Sequence, residues 1–180
     1  MAKHNTGQPT WAKVKQVLGN WQSKELLTLI GELYRLSATN RDLLHSRSRI
    51  ENHPMDRYRR VVEKGLCPNV LRDERIDYQA SKRAIKEYRS AIGDVAGSCD
   101  LLIYFVECGN AHVTQYGDFD PGLLNAIIKS FRDACELIRV LPEAQQQSFK
   151  DRLRAEVERA EGLGYGYYDE MAYLYDGAFG

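Results

Sequence analysis

Three side chains in the most apolar part of the chain have the types and spacing of a metal site. Cys108 and His112 lie four residues apart, and Glu107 precedes them. On a helix such a pair shares one face, and thiolate, imidazole and carboxylate are donors that zinc accepts. His45 and His53 are candidates to complete the set. Cys108 and His112 also line up with Leu101 and Phe105, on an apolar face. A buried thiol beside a satisfied core histidine is the plainer reading. The expectation is therefore no metal and no cofactor.

Cations form the second pattern. Arg41, His45 and Arg49 recur at i, i+4 and i+8; Arg57, Arg60 and Lys64 follow, then Lys82, Lys86 and Arg89. Three successive helices would each carry a basic stripe, as a surface that tracks phosphates or grips an acidic protein requires. Asp56 and Glu87 interrupt the field, and alternate helices of a stack expose opposite faces. Solvated helix faces are the plain alternative. Arg47 is different: the wheel places it beside Leu43, Leu44 and Ile50, with Asn40 near it. An inward guanidinium needs partners, and Glu107 and Tyr116 are the ones expected. A third pattern closes the chain, with Tyr165, Tyr167, Tyr168, Tyr173, Tyr175 and Phe179 inside fifteen residues. Such a segment either docks on its own helices or offers contact area to a partner.

Reactive motifs are lacking: the sequence has no G-x-S-x-G, P-loop, dinucleotide-binding glycine pattern or H-E-x-x-H. The expectation is a non-catalytic protein. Cys67, Cys99, Cys108 and Cys135 show no C-x-x-C spacing, which suits reduced thiols in the cytoplasm. The opening "MAKHNTGQPTW" has no apolar signal-like region, and "LLIYFV" is too short to span a bilayer. No membrane partner is expected. Net charge is zero, yet unevenly spread. Residues 1–92 carry 18 Lys and Arg against 10 Asp and Glu, and residues 93–180 carry 7 against 15. A basic half and an acidic half suit an anionic partner or head-to-tail self-association.

These side chains must be positioned by helices, because apolar residues recur at three and four throughout. A first helix is predicted over Trp11–Leu18. A second follows Ser23 as its cap, with an apolar set of Leu26, Leu27, Leu29, Ile30, Leu33, Tyr34 and Leu36. Ser37 can cap a third from Ala38 to about Asn52, ended by His53-Pro54. A fourth runs to about Gly65 with Met55, Tyr58, Val61, Val62 and Leu66 inward, and "CPNVLRDER" is a loop. The fifth spans about 77–92. Ser98 is the expected cap of a sixth, about 99–116, apolar almost all round and so central. Asp120 and Pro121 open a seventh. An eighth covers about 143–161 and a short aromatic one about 169–175. The expectation is one all-α domain over residues 1–180, eight or nine helices in stacked antiparallel pairs, a HEAT-like array. Residues 1–9 are expected to be flexible, and 163–180 to form the aromatic tail.

At "KELLTLIGELYRLSATNRDLLHSR" the chain resembles a bacterial family of all-helical proteins, the DUF6155-like domain of unknown function. The shared pattern stands here as Glu32-Leu33-Tyr34, Leu36-Ser37, Asn40, Leu44-His45 and Arg47. "KRAIKEYRSAIGD", "YFVECGNAHVTQYGDFD" and "GLGYGYYDEMAYLY" are similar as well, so the resemblance covers most of the chain from position 24. Ser48 departs from it, standing where an aromatic is expected. The resemblance implies a helical stack and carries over no activity and no functional residue. The sequence thus leads to a helical interaction module that binds a protein partner or itself, with nucleic acid as the alternative ligand.

Overall fold

The structure, a computed structural model, describes residues 10–48, 55–68, 75–117, 119–164 and 166–180. Among these there are nine helices and no strand: α1 (Trp11–Leu18), α2 (Ser23–Leu36), α3 (Ala38–Arg47), α4 (Met55–Leu66), α5 (Tyr78–Ala91), α6 (Val95–Tyr116), α7 (Pro121–Val140), α8 (Glu143–Arg159) and α9 (Tyr167–Phe179). The all-α expectation holds. His53, Pro54 and residues 69–74 of the expected loop lie outside the described residues, as do residues 1–9.

Local chemistry fixes most helix ends. Ser37 caps α3, its hydroxyl accepting from the Asn40 amide at 3.0 Å. Asp77 caps α5 and Asp120 caps α7 in the same way, each at 2.8 Å. Two expected caps move. Gln22, not Ser23, is the cap residue of α2, and its amide donates to the Glu25 carboxylate at 2.7 Å, half of a capping box. α6 begins four residues earlier than expected because Asp94, not Ser98, accepts from the amides of Ala96 and Gly97. A carboxylate that reaches two orphan amides outcompetes a hydroxyl further along. Gly117, in the left-handed region at φ 63°, closes α6.

α6 is the centre. Cys99, Leu101, Ile103, Phe105, Val106 and Val113 on it are fully buried. α4, α5, α7 and α8 all pack on it, while α9 packs on α7 and α8. Gly109 sets the α6–α7 approach: a Cβ there would stand 2.7 Å from the Ile127 side chain. The core runs from Tyr58 on α4 to Met171 on α9, and no member of it precedes Tyr58. One helix touching four others is more than stacking of neighbours supplies, so the contacts do not confirm a HEAT-like order. Val61, expected inward on α4, is 39% exposed; Gly65 takes its place, packed against α5.

α1 and α2 contain no buried residue. Among the described residues α2 packs chiefly on α3, and α3 on α5. Leu26 and Leu29 are half-buried, whereas Leu27, Ile30, Leu33, Tyr34 and Leu36 are exposed. The amphipathic pattern is present as helix, with its apolar face open.

Candidate interaction surfaces

Trp11, Val14 and Val17 of α1 and Trp21 just before α2 are exposed as well. The five residues of α2 and these four are nine of the fourteen large exposed hydrophobic residues of the described structure. Contiguous apolar area of this kind marks interaction sites on soluble proteins, whereas scattered single residues do not. Sequence reasoning found the stripe as the apolar set of an amphipathic helix. Periodicity identifies which residues share a face and is silent on what covers it.

The nine candidate cations fall into different environments. Arg49 lies outside the described residues. Arg41 is half-buried and donates to the Tyr34 carbonyl at 3.5 Å, while the Tyr34 hydroxyl and His45 Nε2 share a hydrogen bond of 3.0 Å. These two therefore join α2 to α3, where an outward stripe was expected. Arg57 pairs with the buried Asp42, which also accepts from the Tyr58 hydroxyl at 2.9 Å. Burial, then the hydrogen bond to Asp42, pushes the Tyr58 phenol up to about 12. Arg57 is thus a structural cation. Arg60 and Lys64 are exposed and line a groove of about 590 Å³ with Arg75. Lys82, Lys86 and Arg89 form one rim of a second groove, about 600 Å³, between α5 and α7. The two grooves share no lining residue, so the basic stripes of α4 and α5 stay separate.

The inward cluster of Asn40, Arg47, Glu107 and Tyr116 is not assembled. Asn40 donates its amide to the Leu33 carbonyl at 2.7 Å. Arg47 is exposed and Tyr116 is 48% exposed, packed on His112 with ring centroids 4.8 Å apart. The reason lies in the phase of α3. Asp42, not Leu43 or Leu44, is its buried residue. Arg47, five positions on, sits about 140° around the helix from it.

Glu107 instead accepts from Arg152 of α8, at 2.7 and 2.9 Å. Arg152 also donates to Asp100 at 2.7 Å, and Asp100 accepts from Arg59 of α4 at 2.8 Å. This chain of alternating charges ties α4 and α8 across α6. Burial alone would lower the Arg152 pKa, and the carboxylates of Glu107 and Asp100 more than reverse it. Deeper in, Asn110 donates to Glu156 at 2.9 Å and accepts from the Tyr167 hydroxyl. All three are at least 98% buried. Burial holds the Glu156 carboxyl above the usual carboxylate range, against the opposing hydrogen bond from Asn110. Sequence reasoning missed both networks. Asp100, Glu107 and Asn110 at i, i+7 and i+10 on an otherwise apolar helix are the signal that locates them.

Cys108 is drawn to Cys67. The Cys108 thiol nearby lowers the Cys67 pKa to about 7 against the effect of burial, and Cys67 in turn raises that of Cys108. Glu107 and Cys108 thus serve different partners. Among the described residues, no three His, Cys, Asp or Glu side chains gather where they could hold a metal. In the aromatic tail Tyr167 is buried, Tyr168 and Tyr175 are half-buried, and Tyr175 meets Phe179 edge to face at 5.1 Å. Tyr173 is 75% exposed; Tyr165 lies outside the described residues. The tail docks largely on its own body.

Compared with family models, curated proteins and solved structures, the chain matches none. No described helix is long and apolar enough to cross a membrane.

Proposed function

We propose that this protein is a non-catalytic helical interaction module, and that it binds a protein partner or a second copy of itself through the open face of α1 and α2. The observation that carries this reading is that both helices are amphipathic and neither buries a residue. Helices of 8 and 14 residues are marginal alone in water, and their stability in proteins comes mainly from packing an apolar face. A second copy is the simplest cover, since two identical faces packed about a two-fold axis hide both at once. Zero net charge removes long-range repulsion between copies. Four free thiols support a cytoplasmic setting. The likeness to the DUF6155-like family is part of the proposal and rests on the quoted motifs.

Light scattering on a sizing column, at two salt and two protein concentrations, tests this. The expected mass exceeds that of the 20.6 kDa monomer and, at high salt, returns to it when Leu27 and Leu33 are replaced by Asp. A strict monomer under all conditions removes self-association. A monomer that also captures no partner in a Leu27- and Leu33-dependent way overturns the whole reading.

Nucleic acid is a second reading, favoured by the exposed Lys82, Lys86 and Arg89 along one rim. Labelled DNA and RNA titrated at low salt, where phosphate contacts are strongest, test it. No binding there ends it.

A further inference from the structure

The groove between α5 and α7 has a feature that the arm formed by α1 and α2, with its open face, does not explain. Lys82, Lys86 and Arg89 stand at i, i+4 and i+7 on α5, all exposed, and none has an ion-pair partner among the described residues. The opposite wall is electrically settled, because Lys129 donates to Asp133 at 2.9 and 3.0 Å. Between them lies an apolar floor of Ile85, Leu102 and Ala126. The groove therefore presents one line of unneutralised positive charge beside a hydrophobic strip.

The outer face of α9 carries the complement. Asp169, Tyr173 and Asp176 are all exposed and also stand at i, i+4 and i+7. Tyr167 and Met171 pack the opposite side of the helix into the core, so this face points away from the body. Either stripe spans about 10 Å along its helix. Laid side by side in register, Asp169 meets Lys82, the Tyr173 ring meets the Lys86 ammonium, and Asp176 meets Arg89. The outer pairs are ionic and the middle one is a cation–π contact, with the tyrosine ring beside the apolar floor. Within one chain the stripes are apart: α5 and α9 are not a packed pair, and no ion pair links them among the described residues.

We propose that copies of this chain associate head to tail, with the Asp169–Tyr173–Asp176 stripe of one copy seated along the Lys82–Lys86–Arg89 rim of the next. The proposal rests on the reading as an interaction module and assigns it a second surface. The occupant is a second copy because this chain itself carries the stripe that matches the rim in sign and spacing. The contact joins two different patches, so a pair of copies held by one such contact leaves a rim and a stripe unpaired. It builds rings or open chains, and it weakens as salt screens it.

Sedimentation velocity on the full chain at low and high salt tests the proposal, using two charge-reversed variants. One is Lys82→Glu with Lys86→Glu and Arg89→Glu; the other is Asp169→Lys with Asp176→Lys. All five positions are exposed, and circular dichroism verifies that both variants fold. The wild type is expected to form species larger than a dimer at low salt, growing with concentration and lost at high salt. Each variant alone loses these species. Mixing the two restores them, since the outer pairs of every contact between unlike variants again join opposite charges. Absence of low-salt assembly in the wild type, persistence in either variant, or no recovery on mixing overturns the proposal. Association through α1 and α2 is distinguishable: it survives high salt and charge reversal, and it is lost in Leu27→Asp with Leu33→Asp.

Discussion

α2 and α7 begin from the same kind of sequence and end in opposite environments. Both repeat apolar residues at three and four. On α7, Leu123, Ile127, Phe131 and Ile138 are fully covered, because α6 lies on one side and α9 on another. On α2, Leu27, Ile30, Leu33 and Leu36 are 41–74% exposed, because α3 is its only substantial neighbour. The pattern in a sequence states that a helix has a face to bury. Whether its own chain supplies the cover depends on long-range contacts that periodicity does not contain. A face left open in this way is the structural basis for assigning binding to the arm and stability to the body.

Denaturant unfolding puts the largest number on this contrast. Phe131→Ala, at a position with no exposure, should cost about 3–5 kcal/mol through lost burial and the cavity left behind. Leu33→Ala, in dilute protein, should stay within about 0.5 kcal/mol, as surface changes do. Equal costs would mean that the arm is packed after all.

Next in size is the charge chain of the body. Arg152→Met leaves Asp100 and Glu107 without their shared donor, and the expected loss is about 2 kcal/mol, typical of hydrogen bonds to charged groups. Arg47→Met, its counterpart near the arm, should be neutral. These two arginines also show how far the sequence could be read. It gave α6 as the central helix and Ser37 as the corner between α2 and α3. It put the half-buried guanidinium on the wrong helix, because α3 was phased on Leu43 and Leu44. Asp42 is inward only because Arg57 and Tyr58 of α4 reach it, and such a partner fifteen residues away leaves no local trace. Of the site, the basic rim on α5 was legible because it lies on an outward face. The Asp100–Arg152–Glu107 network required knowing that α8 crosses α6.

A smaller effect is expected from pH. Glu156 has its carboxyl pKa raised in the fold, chiefly by burial. Its stabilising contribution is therefore full below the unfolded carboxylate value, and is lost as pH rises through the folded one. Glu156→Gln keeps an acceptor and donor for Asn110 and removes the buried charge. The variant should unfold at a higher denaturant midpoint than wild type at neutral pH and show a flatter pH profile. A lower midpoint would mean that the ion pair Glu156 makes with Arg159, at 3.4 Å, outweighs burial.

The smallest expected difference concerns the thiols. Cys67 is exposed, with its pKa lowered to about 7, whereas burial raises the pKa of Cys99 and Cys135 to about 12. Alkylation followed by mass spectrometry should label Cys67 first, its rate rising as pH passes about 7. The buried pair should react only on unfolding.

The central claim can be read from intrinsic fluorescence, because the only two tryptophans of the chain, Trp11 and Trp21, both lie on the arm and are 68% and 39% exposed. Emission and acrylamide quenching are followed as the protein is concentrated or a captured partner is added. The account predicts red-shifted, readily quenched emission from dilute protein, moving to blue-shifted and protected emission on association. Blue-shifted, quench-resistant emission already present in the dilute monomer would contradict it.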